Sequence, residues 1–182
     1  MANSSLIADK ILAIPEDMGP NSAWGRYASF LPETDDVSLV VLKGHLIVEE
    51  LLVALVERHC FNPSSLAKAR LSFAQTTYVA QALFRLPASA PWWEPIRQLN
   101  ILRNSLVHQL QPKELEEKVT NLYSLCWKPR PEDPRQIEPK TPAGKATFSI
   151  IYLMGQLAAL DEVAKLLLHT NRPNTPRPSA VA

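Results

Sequence analysis

The sequence predicts an all-α protein, an up-and-down bundle of five or six helices. Glycine is scarce, at 5 of 182 residues, and no stretch alternates apolar and polar residues long enough to make a half-buried strand. Apolar residues recur instead at steps of three and four, the period of a helix face. The 16 prolines fall between these runs or in their first turns, and so punctuate separate helices. A chain of 182 residues is expected to bury one sizeable core.

A first helix is expected over Ser5–Ile14, ending before Pro15, and a loop with Pro20, Gly25 and Pro32 completes an N-terminal segment, 1–33. The second helix runs from Thr34 or Asp35 to about Cys60, with Thr34 as N-cap and Asp35 and Asp36 favourable in the first turn. Its apolar residues wrap almost all round, as in a central bundle helix. Asn62-Pro63-Ser64 caps a third helix, Ser65–Arg85, with a stripe at Leu66, Ala69, Phe73, Thr77, Ala80 and Phe84. Pro87 and Pro91 break the chain before a fourth helix, about Trp92–Leu110, whose Pro95 falls in the first turn where a missing N–H costs little. Pro112 opens a fifth, to about Trp127, completing a helical core over 34–127 in which Val37–Val56 and Trp92–Leu110 form the central pair.

A linker over 128–143 follows, kept irregular by Pro129, Pro131, Pro134, Pro139 and Pro142. A last helix within 144–170, about Lys145–His169, carries a stripe at Ile150, Leu153, Leu157, Leu160, Ala164 and Leu167 and is expected to pack on the core. The tail, 171–182, with Pro173, Pro176 and Pro178, is expected to be disordered.

Nineteen basic against 18 acidic residues leave a net charge of +1, without the broad basic footprint of many nucleic-acid binders. Any RNA contact must then rest on local groups. Cys60 and Cys126, far apart and without a C-x-x-C, read as free thiols of a reducing cytoplasm, with a disulfide as the alternative. No signal peptide is expected, and Lys43, His45, Glu49 and Glu50 interrupt the most apolar run, so a cytoplasmic location without a membrane partner is expected. No cofactor and no metal are expected, since His59-Cys60 and Cys126 lack zinc-ligand spacing. A Gly-rich phosphate loop and a G-x-S-x-G are also missing from the sequence.

Chemistry concentrates in Leu99–Leu110, where Arg103, Asn104 and His108 are the candidate catalytic residues. Arginine offers a permanent cation and a fork of donors that fits phosphate oxygens. Histidine exchanges a proton near neutral pH. Together they form a minimal kit for cleaving RNA without a metal. On a helical wheel, Trp92, Ile96, Leu99, Leu102, Leu106 and Leu110 face the core, while Arg97, Asn100, Asn104 and His108 form a polar stripe. Arg97 and Asn100 are thereby candidate substrate-binding residues. Arg103 lies about 140° round from His108, so two helices crossing in a two-fold dimer would bring one protomer's arginine toward its partner's histidine. The plainer reading of such a stripe is a solvated face. His45 and Glu49, four apart, read first as a structural hydrogen bond. Trp92-Trp93 reads as a hydrophobic cap, with base stacking as the alternative.

The Arg103-Asn104-x3-His108 pattern resembles the signature helix of the HEPN superfamily, and Leu42–Leu52 is similar to the acidic first core helix of HEPN-like bacterial proteins. The resemblance covers roughly Asp36–Leu125. It implies an HEPN-like bundle, a homodimer with its cleft between subunits, and Glu50 and Glu49 as orienting residues, Glu50 through a bidentate ion pair with Arg103.

Two functions stay open. The first is a metal-independent endoribonuclease in which His108 is general base or acid, Arg103 neutralises phosphoryl charge, and Asn104 holds the phosphate or fixes the imidazole. The resemblance implies a toxin or phage-defence role for it, with a cognate antitoxin as partner. The second is a non-catalytic dimeric bundle, as in mannitol-repressor-like proteins, that serves as a regulator or protein-interaction module.

Overall fold

The computed structural model describes residues 23–84, 90–108, 114–127 and 138–170, with side chains for all of these but 23–25, 108 and 165–170. Among the described residues, all regular structure is helical: α1 (Ala23–Ala28), α2 (Val37–His59), α3 (Pro63–Ala69), α4 (Phe73–Leu83), α5 (Trp93–His108), α6 (Leu115–Cys126) and α7 (Pro142–Thr170). The expected helix over 5–14, the start of a helix at Pro112, the tail 171–182 and most of the proline-rich linker lie outside the described residues.

Short polar residues set the helix starts. Asp36, rather than Thr34, caps α2: its Oδ1 accepts from the amides of Ser38 at 2.9 Å and Leu39 at 3.1 Å, while Thr34 Oγ1 accepts from the Asp36 amide. Asn62 caps α3, with Pro63 in its first turn. α7 begins at Pro142, three residues earlier than the apolar stripe indicates, and Thr141 Oγ1 accepts from the Gly144 amide at 3.0 Å.

Two departures raise the helix count. The segment expected to be one helix over 65–85 is two, because Arg70 adopts a left-handed conformation (φ 48°) that ends α3. Ser72 then opens α4 with a reciprocal capping box, its amide donating to Gln75 Oε1 at 2.9 Å. The His45 ring lies against Phe73 at the start of α4 and the His59 ring against Phe84 at its end, so α4 runs in the same direction as α2. Up-and-down alternation is broken there, with α3 and its exit turn as the return leg. The second departure is α1, in a segment expected to be loop. It is held from outside: Tyr27, Ala28 and Leu31 pack on the core, and Tyr27 donates from its hydroxyl to Glu50.

The centre of the bundle is α2 against α7, not α2 against the motif helix α5. Every residue from Leu153 to Asp161 is buried, the mark of a helix enclosed on all sides. Ile96, Leu99 and Leu102 of α5 are buried as expected, and Trp92 and Trp93 cap the bundle from inside, which leaves neither for base stacking. At one level Gly44 of α2 meets Ile150 of α7. At another, Arg58 and His59 meet Asp161, with His59 Nε2 donating to its Oδ1 at 3.0 Å. The two helices therefore run in the same direction. Cys60 and Cys126 are free thiols, and burial pushes Cys126 up to about 12. Among the described residues no helix is long and apolar enough to cross a membrane.

Gly44 permits the α2–α7 approach, since a Cβ there would overlap the side chain of fully buried Ile150. Overpacking of this kind costs about 1–3 kcal/mol, against a helix-propensity gain of about 1 kcal/mol or less. Gly44→Ala should therefore lower stability in urea unfolding. Adding Ile150→Val should recover part of the loss rather than deepen it, the non-additivity of a direct contact.

Candidate functional site

A buried histidine of α2 meets the polar stripe of α5 at Asn100. His45 is only 2% exposed. Its Nε2 donates to Asn100 Oδ1 at 3.2 Å, its Nδ1 lies 3.7 Å from Glu49 Oε2, and its ring sits 4.4 Å from that of Phe73. Helix geometry dictates the arrangement. Gly44 faces α7, and one residue on, about 100° round, His45 is turned toward α4 and α5. A polar ring buried there needs a partner, and Asn100 supplies it across the helix interface. Burial pushes the His45 pKa below its ordinary 6.5. The Asn100 hydrogen bond and the Glu49 charge oppose that shift, and the Arg103 charge adds to it. His45 is thus held neutral at physiological pH.

Arg103 is half-buried, and its Nη1 donates to Asn104 Oδ1 at 3.0 Å. Among the described residues this neutral amide is its hydrogen-bond partner, and no carboxylate lies within ion-pair distance of the guanidinium. The structure therefore pairs Asn100 of α5 with His45 of α2, beside Glu49, and Arg103, paired with Asn104 one turn further along α5, is near enough for its charge to act on the histidine. Glu50 does not join them. Its Oε1 accepts from Tyr27, and it stands about 140° round α2 from His45, against 40° for Glu49. The ion pair expected between Glu50 and Arg103 is not formed, and the acid on the motif's side of α2 is Glu49. α5 is continuous from Trp93 to His108, so its backbone keeps Arg103 and His108 about 140° apart. The His108 side chain lies outside the described residues.

Arg97 is engaged on its own helix. Its Nε and Nη2 donate to Glu94 Oε2 at 3.0 and 2.7 Å, and Gln98 donates to the other carboxylate oxygen at 2.8 Å. The hydrogen bonds from Gln98 and Arg97 hold Glu94 below the usual carboxylate range. Arg97 and Asn100 also line a cavity of about 180 Å³ between α5 and α4, with Phe73, Thr77, Tyr78 and Ile101. Leu46 and Ile101, the sequence neighbours of His45 and Asn100, are 58% and 53% exposed. Among the described residues no group of three or more His, Cys, Asp or Glu is placed to hold a metal ion.

Sequence reasoning did not find the pairing of His45 with Asn100 or the place of Tyr78 at the cavity. The first joins positions 55 apart, and no local pattern announces it. The second has a signal, an aromatic residue beside rather than on the buried stripe of Phe73, Thr77 and Ala80. Compared with known proteins, the chain matches no family model, no curated protein and no solved structure.

A histidine whose pKa is depressed by folding binds fewer protons in the native than in the unfolded chain between the two values. Its stabilising contribution is complete above the unfolded value of 6.5 and declines as pH falls below it. In an NMR titration His45 should show its midpoint below 6.5. Between pH 7.5 and 5.5, His45→Gln should lose less of its stability than the parent protein, and an equal loss in both would refute the assignment.

Proposed function

We propose that this protein is a metal-independent endoribonuclease of the HEPN type, working as a homodimer in the cytoplasm. The observation that carries the reading is the state of Arg103. The residue is half-buried, its guanidinium is hydrogen-bonded to a neutral amide, and its charge acts on a histidine kept neutral by burial. A cation so placed has donors left for phosphate oxygens, and among the described residues no carboxylate is paired with it.

The chemistry follows from the residue types. A ribose 2′-hydroxyl loses its proton and attacks the adjacent phosphorus. Charge grows on the non-bridging oxygens, where Arg103 and the Asn104 amide donate. The 5′-oxygen leaves with a proton, giving a 2′,3′-cyclic phosphate and a 5′-hydroxyl end. His108 acts as general base or general acid in this sequence. The 140° offset between Arg103 and His108 on one continuous helix favours a cleft built by two protomers, each giving one of the two groups. The biological role that the resemblance implies is that of a toxin or phage-defence component checked by a cognate antitoxin.

A second reading, a non-catalytic dimeric bundle acting as a regulator or interaction module, is favoured by the near-neutral charge and by exposed Leu46 and Ile101 beside the site. Purified protein incubated with total RNA in EDTA separates the two. The nuclease should cleave it, and Arg103→Ala and His108→Ala should each lose activity about 100-fold or more. Neither should unfold, since α5 is anchored by Ile96, Leu99 and Leu102. Mixing the two inactive variants should restore activity, because one cleft of each heterodimer then carries both groups. No cleavage by the parent protein, or unchanged cleavage in both variants, would leave the regulatory reading.

A further inference from the structure

We propose that the cavity between α4 and α5 is a nucleobase subsite that receives the base next to the phosphate held at Arg103. The inference rests on the RNA-directed reading of that site and adds a source of base preference to it.

A cavity of about 150 Å³ lined by apolar side chains accepts benzene, so the about 180 Å³ available here holds one flat ring system and little more. The floor suits such a ring. Phe73 is buried there, and Thr77 donates its hydroxyl to the Phe73 carbonyl at 2.9 Å, so its polar atom is already satisfied.

The walls suit a base as well. Tyr78, 61% exposed, brings an aromatic side chain to the rim. Arg97 brings a guanidinium whose Nε and Nη2 both bind Glu94 Oε2, which fixes its plane. Aromatic rings and guanidinium planes are the two surfaces on which single-stranded bases stack. Asn100 adds an edge. Its Oδ1 is held by His45, which fixes the amide at the margin of a cavity whose open surface is almost wholly apolar, so a base is received there by stacking.

Asn100 and Arg103 are three residues apart on α5, neighbours about 5–6 Å apart at Cβ, so a base at one and its phosphate at the other belong to one nucleotide. An apolar side chain of a protein partner would also fit the floor, but it would not use the fixed guanidinium plane of Arg97 and the exposed ring of Tyr78 as stacking faces.

The test measures binding of uncleavable 2′-O-methyl hexanucleotides of single-base composition, alongside the sites cut in total RNA. The parent protein should prefer one or two bases. Tyr78→Ala should weaken binding of the preferred oligomer about tenfold and flatten the preference, as removal of a stacking platform does. Ile101→Trp, which fills the cavity from an exposed position, should do the same. Arg103→Ala should instead weaken all oligomers alike. Cleavage with unchanged base preference in both cavity variants would overturn the subsite while leaving the nuclease reading intact. Absence of cleavage with Tyr78-dependent binding would do the reverse. Failure of every oligomer to bind would overturn it. So would a change of oligomeric state in Ile101→Trp with unchanged affinity, which would assign the cavity to a protein side chain.

Discussion

Ile150 occupies the space that a side chain at position 44 would need, and much of the molecule follows from that contact. It draws α2 against α7 and fixes the rotation of α2 about its own axis. With Gly44 turned to α7, His45 has no route to solvent and is delivered into the seam between α4 and α5. A buried imidazole without a partner costs on the order of 1–3 kcal/mol, so Asn100 is tied to it. Asn100 in turn sets how α5 presents Arg103 and Asn104. A packing constraint on one face of α2 thus becomes a chemical arrangement on another.

The site shows how sharply a helix discriminates between adjacent residues. Glu49 and Glu50 are the same amino acid one position apart, yet the first lies beside His45 and the second answers Tyr27 of α1. The step of about 100° between them separates a role in the site from one that ties down the N-terminal helix. Because Glu49 stands on the histidine rather than on the arginine, the guanidinium keeps its charge uncompensated by any described carboxylate. The near balance of 19 basic and 18 acidic residues over the whole chain conceals that local cation.

The helical class and the buried face of α5 were legible because both are written in short-range periodicity. Some boundaries were equally legible in principle. Ser72 to Gln75 has the spacing of a capping box, and Thr141-Pro142 is a capping residue followed by the proline of a first turn. The continuous stripe from Leu66 to Phe84 masked the first, and the density of prolines around the second made it read as linker. α1 was not legible, since its residues have no strong helical pattern and depend on packing against Glu50 and the core. Nor was the rank of α7. Its apolar residues were evident, but only the contact at Gly44 shows that this helix, rather than α5, lies at the centre with α2. The Asp161 cluster illustrates the same limit, joining residues 102 and 103 positions apart.

That separation shapes how the chain reaches its native state. Helical bundles fold fast when their contacts are local, and here the principal interface joins the first long helix of the described residues to the last of them. On a ribosome adding about 5–20 residues per second, α2 emerges about 5–20 s before the part of α7 that covers it. During that interval the face of α2 around Gly44 lacks its native cover. Slower translation ahead of α7 would lengthen the time for which that face stays open.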